Sequence, residues 1–391
     1  MQMKTNRPLL RDTRETASVT CGCSDRLKNL QLTLISQPSA TLTGGPVPPW
    51  IVGKVVTAAG AVSRVSTELS SSDRWEHVRC RVSGFRNDYR VPPGLYAVGE
   101  PDRNSDVLVS ANYKLSFDSL RRELRGLNAW VLVLDTKGIN VWCAAGKGTF
   151  GTEELIRRID LTHLAKIVEH RRLIVPQLGA PGVSGYRVSR ATGFRVLFGP
   201  VQARDIVAYV NAGYKASRQM RTIRFSLVDR LILTPMEIIP AMKKYPLYAL
   251  LVLGIFGFQP SGIIFRDALS GMPFLLLGLI AVLAGAFLTP LLLPVIPFRS
   301  FAVKGWLVGM LAVSLAMLFL APSSAVLLAL TYVFFPLVSS YVALQFTGAT
   351  TFTGMAGVKK ELKFAVPVYL VSGAVSAVLI IAFKLGQWGV L

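Results

Sequence analysis

The chain is short of the residues from which metal centres, disulfide frameworks and acid–base sites are usually built. Among 391 residues it has four cysteines and three histidines, and 43 lysines and arginines outnumber 22 acidic residues, for a formal charge of +21. Cys21 and Cys23 stand two apart, Cys80 and Cys143 stand alone, and the C-x-x-C runs of iron–sulfur or zinc sites do not occur. The chain is therefore expected to hold no cluster of its own. His77, His163 and His170 fall in no ligand motif, with His163 and His170 seven apart on one predicted helix. Neither H-E-x-x-H nor G-x-S-x-G is found, and no carboxylate pair stands out as an acid–base couple. From Met1 to about Leu30 no basic flank leads into an apolar run and a small-residue cleavage site, so no secretory signal is expected.

Charge itself is scarce in one part of the chain. Seven basic and two acidic residues follow Tyr245, against 36 and 20 before it. Apolar segments at about 247–265, 271–294, 305–321, 323–346 and 364–383 have membrane-spanning length, which excludes a purely cytosolic protein. Five spans put the two chain ends on opposite sides. Lys243 and Lys244, Arg299 and Lys304, and Lys359, Lys360 and Lys363 flank alternate connections. The excess of positive charge on the cytoplasmic side then predicts a multi-pass protein of the cytoplasmic (inner) membrane, with residues 1–245 in the cytoplasm and the C-terminus outside. Gln259 and Gln345 are the main polar side chains within the spans, and the lack of intramembrane charge disfavours transport. Arg218, Arg221, Arg224, Arg230, Lys243 and Lys244 read as a juxtamembrane surface facing anionic membrane lipid, not nucleic acid.

Before the spans, strand-like and helix-like runs alternate. Val107–Val109, Trp130–Leu134, Arg172–Val175 and Arg195–Phe198 read as strands; Ser116–Leu127, a segment opening near Asn140, Thr152–Ile159 and Ala203–Ala212 read as helices. The expected fold class is α/β, with a mainly parallel, Rossmann-like sheet that binds its ligand beyond the carboxyl ends of its strands, followed by an all-α five-helix transmembrane domain. Residues 1–50, with Gly44-Gly45-Pro46-Val47-Pro48-Pro49, form a flexible extension in this reading, 51–217 the α/β domain, 218–245 a basic linker and 246–391 the membrane domain.

The strand ending at Leu134 runs into Asp135–Lys137, Gly138 and then Asn140–Gly151, which brings a Cys, a Lys and several small residues to the mouth of the sheet. A phosphate-binding loop needs G-x-x-x-x-G-K-S/T, and the spacing from Gly138 to Gly146-Lys147 fails it. Gly146, Gly148 and Gly151 follow a helical turn and not a strand, so the dinucleotide fingerprint fails too. What remains is Cys143 in the first turn of a short helix, where unpaired N–H groups and the helix dipole attract negative charge. A lone cysteine also fits a small buried hydrophobe. Cys21 and Cys23 read as part of a disordered tail or as a capture site for a soft metal cation, since adjacent thiolates suit soft cations.

Asn140-Val141-Trp142-Cys143-Ala144-Ala145-Gly146-Lys147 resembles the cap-helix motif, N-V/I-W-C-A-A/G-G-K, of the mercury-methylating corrinoid proteins, the HgcA family. Val109–Lys114, Val133–Gly138, Gln177–Gly182 and Phe198–Val201 resemble the corrinoid domain that family shares with the large subunit of the corrinoid iron–sulfur protein. The resemblance covers about 75–215. The iron–sulfur relative would carry a cysteine cluster and no anchor, and both differences favour the mercury family.

The resemblance implies a methylated, cobalamin-type corrinoid, bound base-off with Cys143 as the lower axial ligand of cobalt, and methyl transfer to Hg(II). Thiolate donation would make the methyl group more carbanion-like. Asn140 is placed as N-cap, Val141 and Trp142 begin the helix, and Ala144, Ala145 and Gly146 let a flat macrocycle approach. Trp142 reads as a packing anchor before a cofactor contact; Lys147 either steadies the cofactor or is solvated. Ser110, Gly182 and Gly199 are candidates for the opposite wall. Electron counting further implies a ferredoxin-like partner with two [4Fe–4S] clusters and a folate-type methyl donor. The alternative is a membrane-anchored corrinoid methyl carrier of acetyl-CoA or one-carbon metabolism. A third reading is a non-catalytic scaffold with an inert Cys143.

Overall fold

The computed structural model describes residues 47–320, 324–350, 352–353 and 355–390; Cys21 and Cys23 lie outside the described residues. The described chain opens on Trp50, which packs edge-on against Tyr96 and Phe117. The first domain runs through β1 (Ile51–Thr57), β2 (Gly60–Val65), α1 (Ser71–Val82), β3 (Gly94–Val98), β4 (Val107–Ala111), α2 (Lys114–Glu123) and β5 (Ala129–Leu134). It continues through α3 (Val141–Lys147), α4 (Thr152–Leu161), α5 (Leu164–Ile167), β6 (Arg172–Val175), α6 (Gly185–Thr192), β7 (Arg195–Phe198) and α7 (Ile206–Asn211).

One seven-stranded sheet orders these as β1-β2-β3-β5-β4-β6-β7. β3, β4 and β5 are buried at every residue, which is why they read as unbroken apolar runs. Leu95, Val109, Leu132 and Leu134 face a core completed by Ala144, Phe150, Leu155 and Val188, so α3 to α6 cover that side. Tyr96, Leu108, Val131 and Val133 face Phe117, Leu120, Ile206 and Tyr209 of α2 and α7 on the other. The expectation of a mainly parallel sheet holds for β5-β4-β6-β7 and needs correction beyond it. β3 runs antiparallel to β5, and β1 antiparallel to β2, while β2 is parallel to β3.

β4 is where the strand order reverses. The chain leaves it through α2 to β5 on one side, then crosses the opposite face through α3 to α5 to reach β6 on β4's other side. Such a switch leaves a crevice outside the carboxyl ends of the two flanking strands. Only Leu108 and Ile174 are paired between β4 and β6, so little closes it.

Beyond the domain come α8 (Leu227–Leu233), α9 (Pro235–Gly257), a two-strand hairpin at Phe258–Gln259 and Gly262–Ile263, α10 (Phe265–Leu269), α11 (Met272–Leu283), a π-turn at Ala284–Leu288, α12 (Thr289–Leu292), α13 (Phe301–Met317), α14 (Ala325–Gln345) and α15 (Met355–Gln387). Among the described residues four helices are long and apolar enough to cross a membrane: Leu227–Gly257, Phe265–Leu292, Ala325–Gly348 and Gly357–Gln387. The expected third span is the shorter helix α13. It lies close against α14 because Gly305 and Gly309 carry no side chain; a Cβ at Gly305 would stand 2.5 Å from that of Ala343. Ser339 and Ser340 Oγ donate to the Gly305 and Ala302 carbonyls at 2.8 and 2.7 Å.

The first membrane helix differs from the sequence reading. It begins inside the stretch expected as a linker, at Leu227, and ends at Gly257 where a span to residue 265 was expected. Pro260 and Gly262, whose φ is 120°, turn the chain there. Arg230, expected on the lipid-facing surface, is instead 7% exposed, and its guanidinium donates to the Pro290 and Leu291 carbonyls at the end of α12. Arg218, Arg221, Arg224, Lys243 and Lys244 are exposed as expected.

Candidate functional site

A cavity of about 450 Å³ occupies the switch-point crevice. Ser110 in β4 and Tyr113 just beyond it, Pro176 after β6 and Gly199 after β7 form its sheet side, and Asn140, Val141 and Trp142 close one flank. Four of the sequence-derived residues besides Trp142, namely Ser110, Asn140, Val141 and Gly199, thus meet at one place. A side chain at Gly199 would crowd Ile174, its Cβ 2.9 Å from Cγ2, so glycine keeps this wall low.

The loop from β5 into α3 is held by one buried amide. Asn112 Oδ1 accepts from the Thr136 N–H at 3.0 Å and the Gly138 N–H at 2.9 Å, and its Nδ2 donates to Asp135 at 3.2 Å. Gly138 takes φ 74°, and a Cβ there would meet the Arg90 side chain at 2.7 Å. The loop delivers Asn140, with extended backbone, as N-cap: its Oδ1 accepts the Cys143 N–H at 2.9 Å. Gly148, at φ 80°, ends the helix after two turns. Substituting Asn140→Ala is expected to cost about 1 kcal/mol of domain stability through the lost cap, measured as a shift of the urea midpoint at constant slope.

Cys143 is a free, half-buried thiol, whereas Cys80 is buried with its Sγ 3.0 Å from the Tyr113 hydroxyl. The cysteine next to Trp142 is therefore the accessible one, although it does not itself line the cavity. Ala144 and Ala145 point into the core; Gly146 and Lys147 are exposed on the outer side of the turn. Gly182 stands apart from the cavity wall. It lies under α3, where a Cβ would fall 2.1 Å from the Phe150 carbonyl and 3.2 Å from the Ala145 Cα, so it sets how closely the cap helix approaches the sheet.

The sequence reading missed a buried charge cluster behind Tyr113. Lys114 Nζ bonds Asp73 Oδ1 and Asp118 Oδ2, each at 2.8 Å; Arg121 Nε bonds Asp118 at 2.8 Å; His77 Nε2 lies 2.8 Å from Asp118. The spacing of Lys114, Asp118 and Arg121 on one helix was the available signal. His163 and His170 do not share a helix. His163 has φ 48° between α4 and α5, and the His170 ring lies in the loop before β6, 2.9 Å from the Ser105 carbonyl.

Residues 83–210 match the family of the CO dehydrogenase/acetyl-CoA synthase delta subunit. That stretch holds the whole crevice except the approach from the membrane helices. The domain is similar to a corrinoid/iron–sulfur protein large subunit. That protein, from Moorella thermoacetica, is 29% identical over 169 residues, 41% of this chain and 37% of its own length. The acetyl-CoA decarbonylase/synthase complex subunit gamma of Methanopyrus kandleri is 34% identical over 134 residues, 34% of this chain and 29% of the relative. The subunit of the same name from Methanothermobacter thermautotrophicus is 32% identical over 151 residues, covering 37% and 32%. The chain thus spans well under half the length of each of these relatives.

Proposed function

We propose that the α/β domain binds a corrinoid over the switch-point crevice and that the chain is a membrane-associated corrinoid methyltransferase whose methyl acceptor is Hg(II). The observation that carries the reading is the Asn140-capped helix, which sets an accessible Cys143 beside a crevice of small and apolar residues. These features fit a flat macrocycle with a soft central metal. Ser110 and Gly199 would leave room on the sheet side, Trp142 would border the flank, and Cys143 beside it would offer a sulfur donor to the metal. Bound there, the corrinoid supplies a transferable methyl group on cobalt. The protein's part is to present that sulfur: Asn140 fixes the turn, Asn112 fixes the loop before it, and Gly182 seats the helix on the sheet.

Hg(II) as acceptor rests on the cap-helix motif and its resemblance to the mercury-methylating family. The names of the similar proteins favour a second reading, a corrinoid methyl carrier of acetyl-CoA or one-carbon metabolism, with the same site and another acceptor. The Hg(II) reading calls for a two-electron reducing partner, proposed to be a ferredoxin-like protein with two [4Fe–4S] clusters, because a methyl group leaving as a carbanion oxidises its carrier; a methyl donor of folate type would serve either reading. The domain is proposed to face the cytoplasm, with the C-terminus outside. Phe225, just after the domain, packs on Phe346 and Phe352, so the connection before Lys359, Lys360 and Lys363 lies at the domain's end of the bundle. Full-length protein reconstituted anaerobically with methylcobalamin and mixed with Hg(II) is expected to yield methylmercury in proportion to bound cobalt. Cobalt binding without methylmercury leaves the carrier reading, and absence of bound cobalt removes both.

A further inference from the structure

A second cavity, of about 1030 Å³, opens at the same end of the helix bundle between α13, α14 and α15. Its chemistry is split. Trp306, Phe364 and Val368 line the end farther along α13 and α15 and are 39%, 63% and 51% exposed, an apolar surface of the kind that acyl chains cover. Arg299 and Lys360 line the other; both are exposed and, among the described residues, neither forms an ion pair. Lys304, also in the lining, is turned away to the Leu293 carbonyl. Glu361 is the lining's one acid. Its Oε1 accepts the Phe301 N–H at 2.8 Å, and its Oε2 is buried without a partner.

We infer that this cavity is a binding site for an anionic phospholipid whose headgroup carries hydroxyls, of the phosphatidylglycerol type. Two unpaired cations at the headgroup level attract the phosphate. The unpartnered carboxylate oxygen needs a donor, which a bare phosphate lacks and a glycerol headgroup offers. The apolar side accommodates the acyl chains, with Trp306 at the boundary. A zwitterionic choline headgroup satisfies neither requirement. The inference rests on the chain residing in a membrane and is independent of methyl transfer.

The test is lipid retention by the full-length protein in detergent, read by native mass spectrometry with added phosphatidylglycerol, phosphatidic acid or phosphatidylcholine. Phosphatidylglycerol is expected to be retained roughly thirtyfold over phosphatidylcholine, from about 1 kcal/mol for each of the two cations. The double substitution Arg299→Ala with Lys360→Ala abolishes that preference, whereas Lys359→Ala, a neighbour outside the lining, leaves it. Glu361→Gln keeps retention over phosphatidylcholine and narrows the margin over phosphatidic acid. Equal retention of phosphatidylglycerol and phosphatidylcholine by the unsubstituted protein overturns the inference. So does a preference that survives the double substitution, or one lost equally in Lys359→Ala. Phosphatidic acid held as well as phosphatidylglycerol removes the hydroxyl requirement. All three exchanges of basic residues lie on exposed side chains, and an unchanged helical circular dichroism spectrum separates lost binding from lost fold.

Discussion

Cys143→Ala is expected to slow the proposed methyl transfer from the corrinoid-loaded protein to Hg(II) by roughly a hundredfold or more, the scale on which loss of one group that stabilises developing charge lowers kcat. The effect is chemical because the fold does not depend on this sulfur. Cys143 is half-buried, outside the core, and its N–H is held by Asn140 whatever the side chain is. Alanine is also the best helix former at that position. Cys143→Ser keeps a polar atom of similar size but a weaker donor, and its rate lies between the two. Single-turnover methylmercury formation, with the cobalt absorption spectrum followed in parallel, measures both. An alanine variant that reacts at the unsubstituted rate with an unchanged spectrum would deny Cys143 any contact with the metal.

The second large effect is on stability. Lys114→Ala destabilises the α/β domain by about 3–5 kcal/mol, because removing one partner of a buried ion pair leaves the other charge uncompensated. Here Arg121 is left between two carboxylates, Asp73 and Asp118, which are 3% and 0% exposed, so one buried negative charge has no cation of its own. Burial pushes both carboxyls up, but the Lys114 ammonium beside Asp73, and the His77 and Lys114 groups beside Asp118, more than reverse this and hold both below the ordinary carboxylate range. A carboxyl with a depressed folded-state pKa stabilises above its unfolded value, near 4, and loses that contribution as pH falls through the folded value. The unsubstituted protein therefore weakens progressively from about pH 5 downward, and the Lys114→Ala variant does so with a shallower slope. Urea midpoints across pH 3 to 7 give both quantities; a midpoint unmoved by the substitution at pH 7 would show that the cluster is not what anchors α2.

What could be read from the sequence follows from what leaves a local mark. β4 to β7 are apolar runs of strand length, and Asn140 stands where an N-cap must, so the strands that build the crevice and the helix that carries Cys143 were legible. The β1–β2 hairpin was not, because its two-residue loop is Ala58-Ala59 and lacks the Asn-Gly or Asp-Gly signal. α1 was missed because its Trp75, Val78 and Val82 are exposed and it buries only Asp73 and Cys80, so no apolar stripe marks its inner face. The charge cluster hid for a related reason: five ionisable residues from two helices read as solvent-facing until the fold closes around them. In the membrane part, Pro235, Pro240 and Pro246 and the pair Lys243-Lys244 look like a linker, yet all lie within one helix. His163 and His170 share no helix because α4 stops at Leu161 and α5 runs only from Leu164 to Ile167, and their spacing of seven gives no sign of the break between.

The segment joining the two parts of the chain belongs to both. Ile223 and Leu233 line the crevice, and Leu233 with Phe225 also packs among Phe301, Phe346 and Ala365 at the base of the bundle. The crevice and the base of the bundle thus share a wall: a ligand pressing on Leu233 from the crevice meets the side chain that also packs against the Phe301 and Phe346 cluster, so the helices behind the domain help set the shape of the space in front of it.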